Sequence, residues 1–191
     1  MEEVFKAYCL PIILGCVPLS INYLISRKKE KLDEKKRLTY LAVRVSVWLE
    51  EFTLWAIGAY DEWSSYLLVK RGKPSEKFIA FSKACPEDVD WTVADVELTN
   101  KVFTFGNYLI IAGSGVESQR DKYDSEAILE RLLMLMTTAS QAYALARLFR
   151  NQIGDQSPQL RYYEDSLSRM TESYEKYTAY QKNGFFQSEA S

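Results

Sequence analysis

Residues 38–59 read LTYLAVRVSVWLEEFTLWAIGA, and their apolar positions Leu38, Leu41, Val45, Trp48, Phe52, Trp55 and Ala59 recur at alternating steps of three and four. With about 3.6 residues per turn, that spacing lines one side of a helix and buries it against a core. The spacing predicts a helix to about Lys70, where Arg71-Gly72-Lys73-Pro74 supplies a stop. Downstream, Phe78, Ile79 and Phe81 precede a loop, with a strand left open for that stretch. In Cys85-Pro86-Glu87-Asp88-Val89-Asp90-Trp91, Asp90 or Thr92 can cap a short helix, Asp95 stands three after Thr92 as in a capping box, and Trp91 can pack beneath the turn.

A third helix is expected from Asp95 to about Ile111, weakened at Gly106 and ended by Gly113-Ser114-Gly115. A fourth runs from about Tyr123 to Ile153, with Ile128, Leu129, Leu132, Leu133, Leu135, Met136, Ala139, Ala142, Ala146 and Phe149 on or near one face, and Gly154 and Pro158 close it. The last carries Leu160, Tyr163, Leu167, Met170, Tyr174 and Tyr177 before a polar tail after Gly184. Modest loops between long helices read as an antiparallel bundle of about four main helices.

Upstream, Ala7 to Ile25 holds no charged residue. At 1.5 Å per residue it spans about 28 Å, close to the roughly 30 Å of a bilayer's hydrocarbon core. Pro11, Pro18, Ser20 and Asn22 are tolerated in membrane helices. The acidic Met1-Glu2-Glu3 start argues against a cleaved signal, Ile13-Leu14-Gly15-Cys16 only loosely resembles a lipobox, and a buried helix of a soluble protein is the remaining alternative. Arg27, Lys28, Lys29, Lys31, Lys35, Lys36 and Arg37 follow directly, interrupted by Glu30, Asp33 and Glu34. Basic residues mark the cytoplasmic end of a span, so the N-terminus is expected outside and the main domain in the cytoplasm. The cluster from Arg27 to Arg37 can meet anionic lipid headgroups or form helix pairs such as Asp33 with Arg37. Pro11, Gly15, Pro18 and Asn22 share one helix face, a candidate for self-association.

The expected organisation is a short external N-terminus over 1–6, a transmembrane anchor over 7–25, a basic juxtamembrane segment with the first long helix over 26–70, the rest of the bundle over 71–183, and a tail over 184–191. In fold class the chain is all-α, an N-terminal transmembrane helix followed by a cytoplasmic helical bundle.

Composition narrows the chemistry. A formal charge of -2 and a pI near 5.4 provide no basic field for nucleic acid. The chain has no histidine, which removes the commonest general base, the Ser-His-Asp and Cys-His arrangements and every imidazole metal motif. The three cysteines, Cys9, Cys16 and Cys85, form no disulfide framework or CxxC pair. Cys85 lies beside acids that disfavour a thiolate. No catalytic, cofactor-binding or metal residue is assigned and no cofactor is expected.

Two carboxylate groups merit weighing. Glu50, Glu51, Asp61 and Glu62 lie on the first long helix, and inward carboxylates can hold metal, but di-metal bundles add Glu-x-x-His from other helices. Glu87, Asp88, Asp90, Asp95 and Glu97 crowd one short region that lacks EF-hand spacing. The aromatic rows Trp48, Trp55, Trp63 and Tyr162, Tyr163, Tyr174, Tyr177, Tyr180 read as core, or as a partner surface.

Pro86 to Asn107, with Asp88-Val89-Asp90-Trp91, then Leu98, Val102, Phe105 and Asn107, resembles a segment of an uncharacterised bacterial family of membrane-anchored helical proteins. Gly106 stands where that segment has proline. The resemblance implies an apolar N-terminal helix, a helical domain and a bacterial membrane address, and no activity. The functional expectation is a non-enzymatic interaction or self-assembly module, with another protein or a second copy as partner. The alternative is a carboxylate-dependent enzyme or ligand sensor with a site between the helices.

Overall fold

The computed structural model describes residues 10–69, 81, 83–118, 124–155 and 159–182, with side chains described for 21–69, 81, 83–112, 124–155 and 161–182. The described chain is all-α: α1 (Leu10–Val69), a short 3-10 turn (Trp91–Val93), α2 (Val96–Ser118), α3 (Ser125–Gln152) and α4 (Gln159–Lys182). No strand occurs among the described residues.

α1 is one uninterrupted helix of 60 residues, about 90 Å long. It has two regimes. From Ile21 to Arg37 every side chain is exposed, and from Leu41 onward the helix enters the core. There Leu41, Val45, Trp48, Phe52 and Ala59 of the predicted stripe are buried, while Leu38 and Trp55 are half-buried at its edge. The buried arc is wider than the stripe, taking in Ala42, Leu49, Ala56, Ile57, Tyr60 and Trp63. α1 therefore runs through the bundle with neighbours on several sides.

Its chief neighbour is α3. Glu50 pairs with Arg150, and Arg131 sits over Trp63. Rising along α1 means descending along α3, so the two are antiparallel. Fully buried Ala42, Ala56 and Ala59 on α1 and Ala139, Ala142 and Ala146 on α3 keep the backbones close. α4 runs the same way as α1, because Tyr163 lies near Glu50 and the Tyr60 hydroxyl donates to the Met170 carbonyl at 2.8 Å.

Each junction has a local cause. Asp124 caps α3 by accepting from the Ala127 N–H at 2.8 Å, with Glu126 in the first turn and Arg150 in the last, both favourable to the helix dipole. Gly154, at φ 70°, takes the left-handed conformation that closes the helix.

Of the two caps expected for the short helix Asp90 is the one observed, and several other expectations require correction. Asp90 caps the 3-10 turn, Asp95 itself caps α2 by accepting from the Leu98 N–H at 3.0 Å, and Thr92 lies within the turn, hydrogen-bonded to Asp90. Arg37 pairs with Asp90, and Asp33 lies 3.8 Å from Lys36 instead. α2 does not stop at Gly113-Ser114-Gly115 but continues to Ser118. Glycine costs a helix only about 1 kcal/mol, less than ending the backbone ladder early.

Gly106 lies mid-helix in α2, and a Cβ there would meet nothing within 4 Å. Gly106→Ala is expected to stabilise the fold by about 0.5–1 kcal/mol, because it narrows the unfolded ensemble at no steric cost. Urea unfolding followed by circular dichroism measures this, and an unchanged midpoint contradicts it.

Among the described residues no helix is long and apolar enough to cross a membrane. Of the anchor expected over 7–25, residues 7–9 lie outside the described residues, 10–20 are described as helical backbone alone, and the side chains of 21–25 are described. The candidate packing positions Pro11, Gly15 and Pro18 fall outside the described side chains. Residues 70–80, which include Phe78 and Ile79, together with 82, 119–123, 156–158 and the tail from 183, lie outside the described residues altogether.

Candidate functional site

Residues 81–90 form a strap along α1. Phe81 packs on Phe52 and Trp55, the Trp48 indole donates to the Lys83 carbonyl at 3.1 Å, and Lys83 pairs with Glu51 at 2.8 Å. Asp88 then meets Arg44 and Tyr40, each at 3.1 Å, and Asp90 meets Arg37 at 3.1 Å. The strap thus descends from the level of Trp55 to that of Arg37. The backbone bends at Asp88 and Val89 on the way.

Beneath the strap lies an aromatic cluster. Phe52, 2% exposed, has ring neighbours Phe81 at 5.2 Å, Phe105 at 5.4 Å and Trp55 at 5.4 Å, the first two edge-on. Trp48 adds contacts to Phe81 and Phe105, and Trp91 stacks on Phe103 at 4.9 Å. Two rings of α1, Phe52 and Trp48, therefore join the strap and α2.

The carboxylates do not converge. Glu50 is buried and bound to the Arg150 guanidinium through two hydrogen bonds of 2.9 and 3.1 Å, and Arg150 also donates to Asp155 at 2.6 Å. Glu51 belongs to Lys83, Asp61 is exposed, Glu62 is half-buried on the next position, Asp95 caps α2 and Glu97 pairs with Lys101 at 2.7 Å. Glu87 stands beside Cys85 and disfavours its thiolate. Among the described residues no three His, Cys, Asp or Glu side chains are grouped so as to hold a metal ion. The chemistry these acids perform is pairing with arginine and lysine.

The strap acids are tuned by that pairing. Hydrogen bonds from Arg44 and Tyr40 hold the Asp88 carboxyl below the usual aspartate range, and the Thr92 hydroxyl and N–H do the same for Asp90, with help from Arg37. Asp88 is exposed and Asp90 half-buried. A depressed folded-state pKa stabilises the attached strap above the ordinary aspartate value of 3.8 and loses that contribution as pH falls below it. The strap is expected to stay attached from pH 7 to 5 and to loosen below about pH 4, with concentrated salt weakening the same contacts at neutral pH. Hydrogen exchange at residues 83–92 reads this, and protection that is flat from pH 6 to 3 after correction for intrinsic exchange contradicts it.

Burial, with Glu87 adding to it, pushes the Cys85 thiol up to about 11, an unreactive state. Burial and the hydrogen bond to Glu164 push the Tyr143 phenol up to about 12. In the aromatic rows Trp48, Trp63, Tyr163 and Tyr177 are core, Trp55 and Tyr174 are half-buried, and Tyr162 and Tyr180 are exposed. No family model, curated protein or solved structure matches the chain.

Among the described residues the functionally suggestive geometry lies away from these paired acids. It is the exposed run of α1 from Ile21 to Arg37, which continues without a break into the bundle. Ile21, Tyr23, Leu24 and Ile25 are 50–63% exposed, and Arg27 follows them directly. Sequence reasoning located the apolar and basic segments, but not the strap: Arg37, Tyr40 and Arg44 are separated from Asp88 and Asp90 by 44 to 53 positions, and no local spacing encodes that pairing.

Proposed function

We propose that the chain is a membrane-tethered helical protein whose bundle, on the cytoplasmic side, serves as a non-enzymatic interaction or self-assembly module. The observation that carries this reading is the two-part α1. Apolar side chains at Ile21, Leu24 and Ile25 stand in solvent just before a basic cluster, an arrangement that water penalises and a bilayer boundary favours. The charge-free composition of residues 7–25 and the resemblance around Asp88-Val89-Asp90-Trp91 support the same address. From Ile25 to Leu41, the first fully buried residue, the helix rises about 24 Å, so a tethered bundle stands clear of the headgroups. The exposed apolar Val96, Phe103 and Ile111 of α2 support an interaction role.

The test expresses the full chain in bacterial membranes. Retention after alkaline carbonate extraction, with protease access to the bundle only from the cytoplasmic side, is expected. Release by carbonate overturns the tether, and a solubilised monomer that recovers no partner overturns the interaction module.

A further inference from the structure

The charges of the exposed part of α1 are sorted around the helix. At about 100° per residue, Arg27, Lys31, Lys35, Lys28, Lys36 and Lys29 occupy one continuous half of the circumference, and Ile25 and Leu32 fall within it. Glu30, Asp33 and Glu34 occupy the other half, together with Arg37, which is bound to Asp90. All these side chains are exposed. Lys36 leans to Asp33 at 3.8 Å, a loose contact between side chains 70% and 52% exposed. On the basic side a shallow depression of about 550 Å³ is lined by Leu32, Lys35, Lys36, Thr39, Tyr40 and Val43, an apolar floor with lysines at its rim.

We propose that this basic side is a docking surface for anionic lipid headgroups, so that α1 leaves the bilayer leaning toward it with the acidic side turned to water. The proposal rests on the tether reading and adds an orientation to it. Charge complementarity selects the occupant: a second copy could offer only Glu30, Asp33 and Glu34 to the six basic residues, whereas an acidic leaflet attracts each basic side chain with about a fivefold preference. The lysines suit the phosphate of a lipid headgroup. Geometry allows the contact. Lys35 lies about 15 Å beyond Ile25 along the axis, and a lean of about 40° lowers that to about 11 Å. A headgroup layer about 5–8 Å deep and a flexible lysine side chain close the remainder. Arg37 and Arg44, held by the strap, take no part.

The experiment uses the full chain, with its three cysteines replaced by alanine and a spin label at Leu32→Cys on the basic side or Glu34→Cys on the acidic side. Samples are vesicles of phosphatidylcholine with or without phosphatidylserine. With phosphatidylserine, the label at 32 is expected to lose accessibility to a water-soluble relaxant several-fold while the label at 34 does not. The difference should vanish in concentrated salt, in neutral vesicles, and in a variant carrying Lys→Gln at 28, 31, 35 and 36. Carbonate extraction of the same samples reads the tether separately. Retention with equal, lipid-independent accessibility at 32 and 34 overturns the docking surface and leaves the tether standing. Release by carbonate with charge-dependent shielding at 32 supports the surface and removes the tether.

Discussion

Arg150→Met will lower the stability of the domain by about 3–5 kcal/mol, because it leaves a buried carboxylate without its cation. The Glu50 side chain is 8% exposed and that of Arg150 12%, and the two are joined by a pair of hydrogen bonds across the α1–α3 interface. The Glu50 hydrogen bonds hold the Arg150 guanidinium above its already high range, which marks the pair as coupled in the folded state. The reverse substitution, Glu50→Leu, will cost less, since Arg150 keeps Asp155, whose side chain is 41% exposed. The double variant Glu50→Leu with Arg150→Met will recover most of the loss, because matched apolar groups can replace a buried pair at little cost. Guanidinium unfolding of the four proteins reads the cycle. A single Arg150→Met loss below about 1 kcal/mol would place the pair among solvated surface bridges and refute its structural role.

The second large effect is expected at Phe52→Ala, a loss of about 3–5 kcal/mol in a domain whose total stability is on the order of 5–15 kcal/mol. Phe52 touches both Phe81 of the strap and Phe105 of α2, at shorter ring distances than Trp48 does. Its removal leaves a cavity that three separate segments must close, so the local damage will exceed the global loss. Near-ultraviolet circular dichroism should lose the Trp48 environment, and hydrogen exchange should rise along residues 83–92 and 98–105 before α3 changes. Phe52→Leu, which keeps most of the volume, should cost about half as much. Equal protection of strap and α3 in Phe52→Ala would show that the cluster does not hold the strap.

In both effects the partners lie outside the local pattern. The three-four spacing of Leu41, Val45, Trp48 and Phe52 identifies a buried side of α1, since helix periodicity is a property of neighbouring residues. The same spacing says nothing of how many sides are covered. Glu50 looks like part of a solvated acidic face, and becomes the buried partner of an arginine 100 positions away only because α3 packs antiparallel on that side. Asp88 and Asp90 look like a capping cluster. One of them does cap a turn, yet both also bind α1 from a distance.

Helix ends divide the same way. Asp124 and Gly154 act within their own turn, as a cap and a left-handed closure, and are readable from sequence. Gly113-Ser114-Gly115 carries the same local signal of an ending but lies inside a helix that runs to Ser118, because a modest glycine penalty is outweighed by continued backbone hydrogen bonding.

The sequence by itself determined the helical class, the principal helices, the core stripe of α1 and the apolar-then-basic order of its first part, all of which follow from spacing along a single helix. Only the tertiary structure decided that α1 is continuous from Leu10 to Val69, that its Glu50 and Glu51 are tied to Arg150 and Lys83 while its Arg44 and Arg37 hold Asp88 and Asp90 of the strap, and that the basic run up to Lys36 stays exposed while Arg37 is bound. Those outcomes depend on which segments pack together, and pairing across tens of residues is set by the geometry of the whole core.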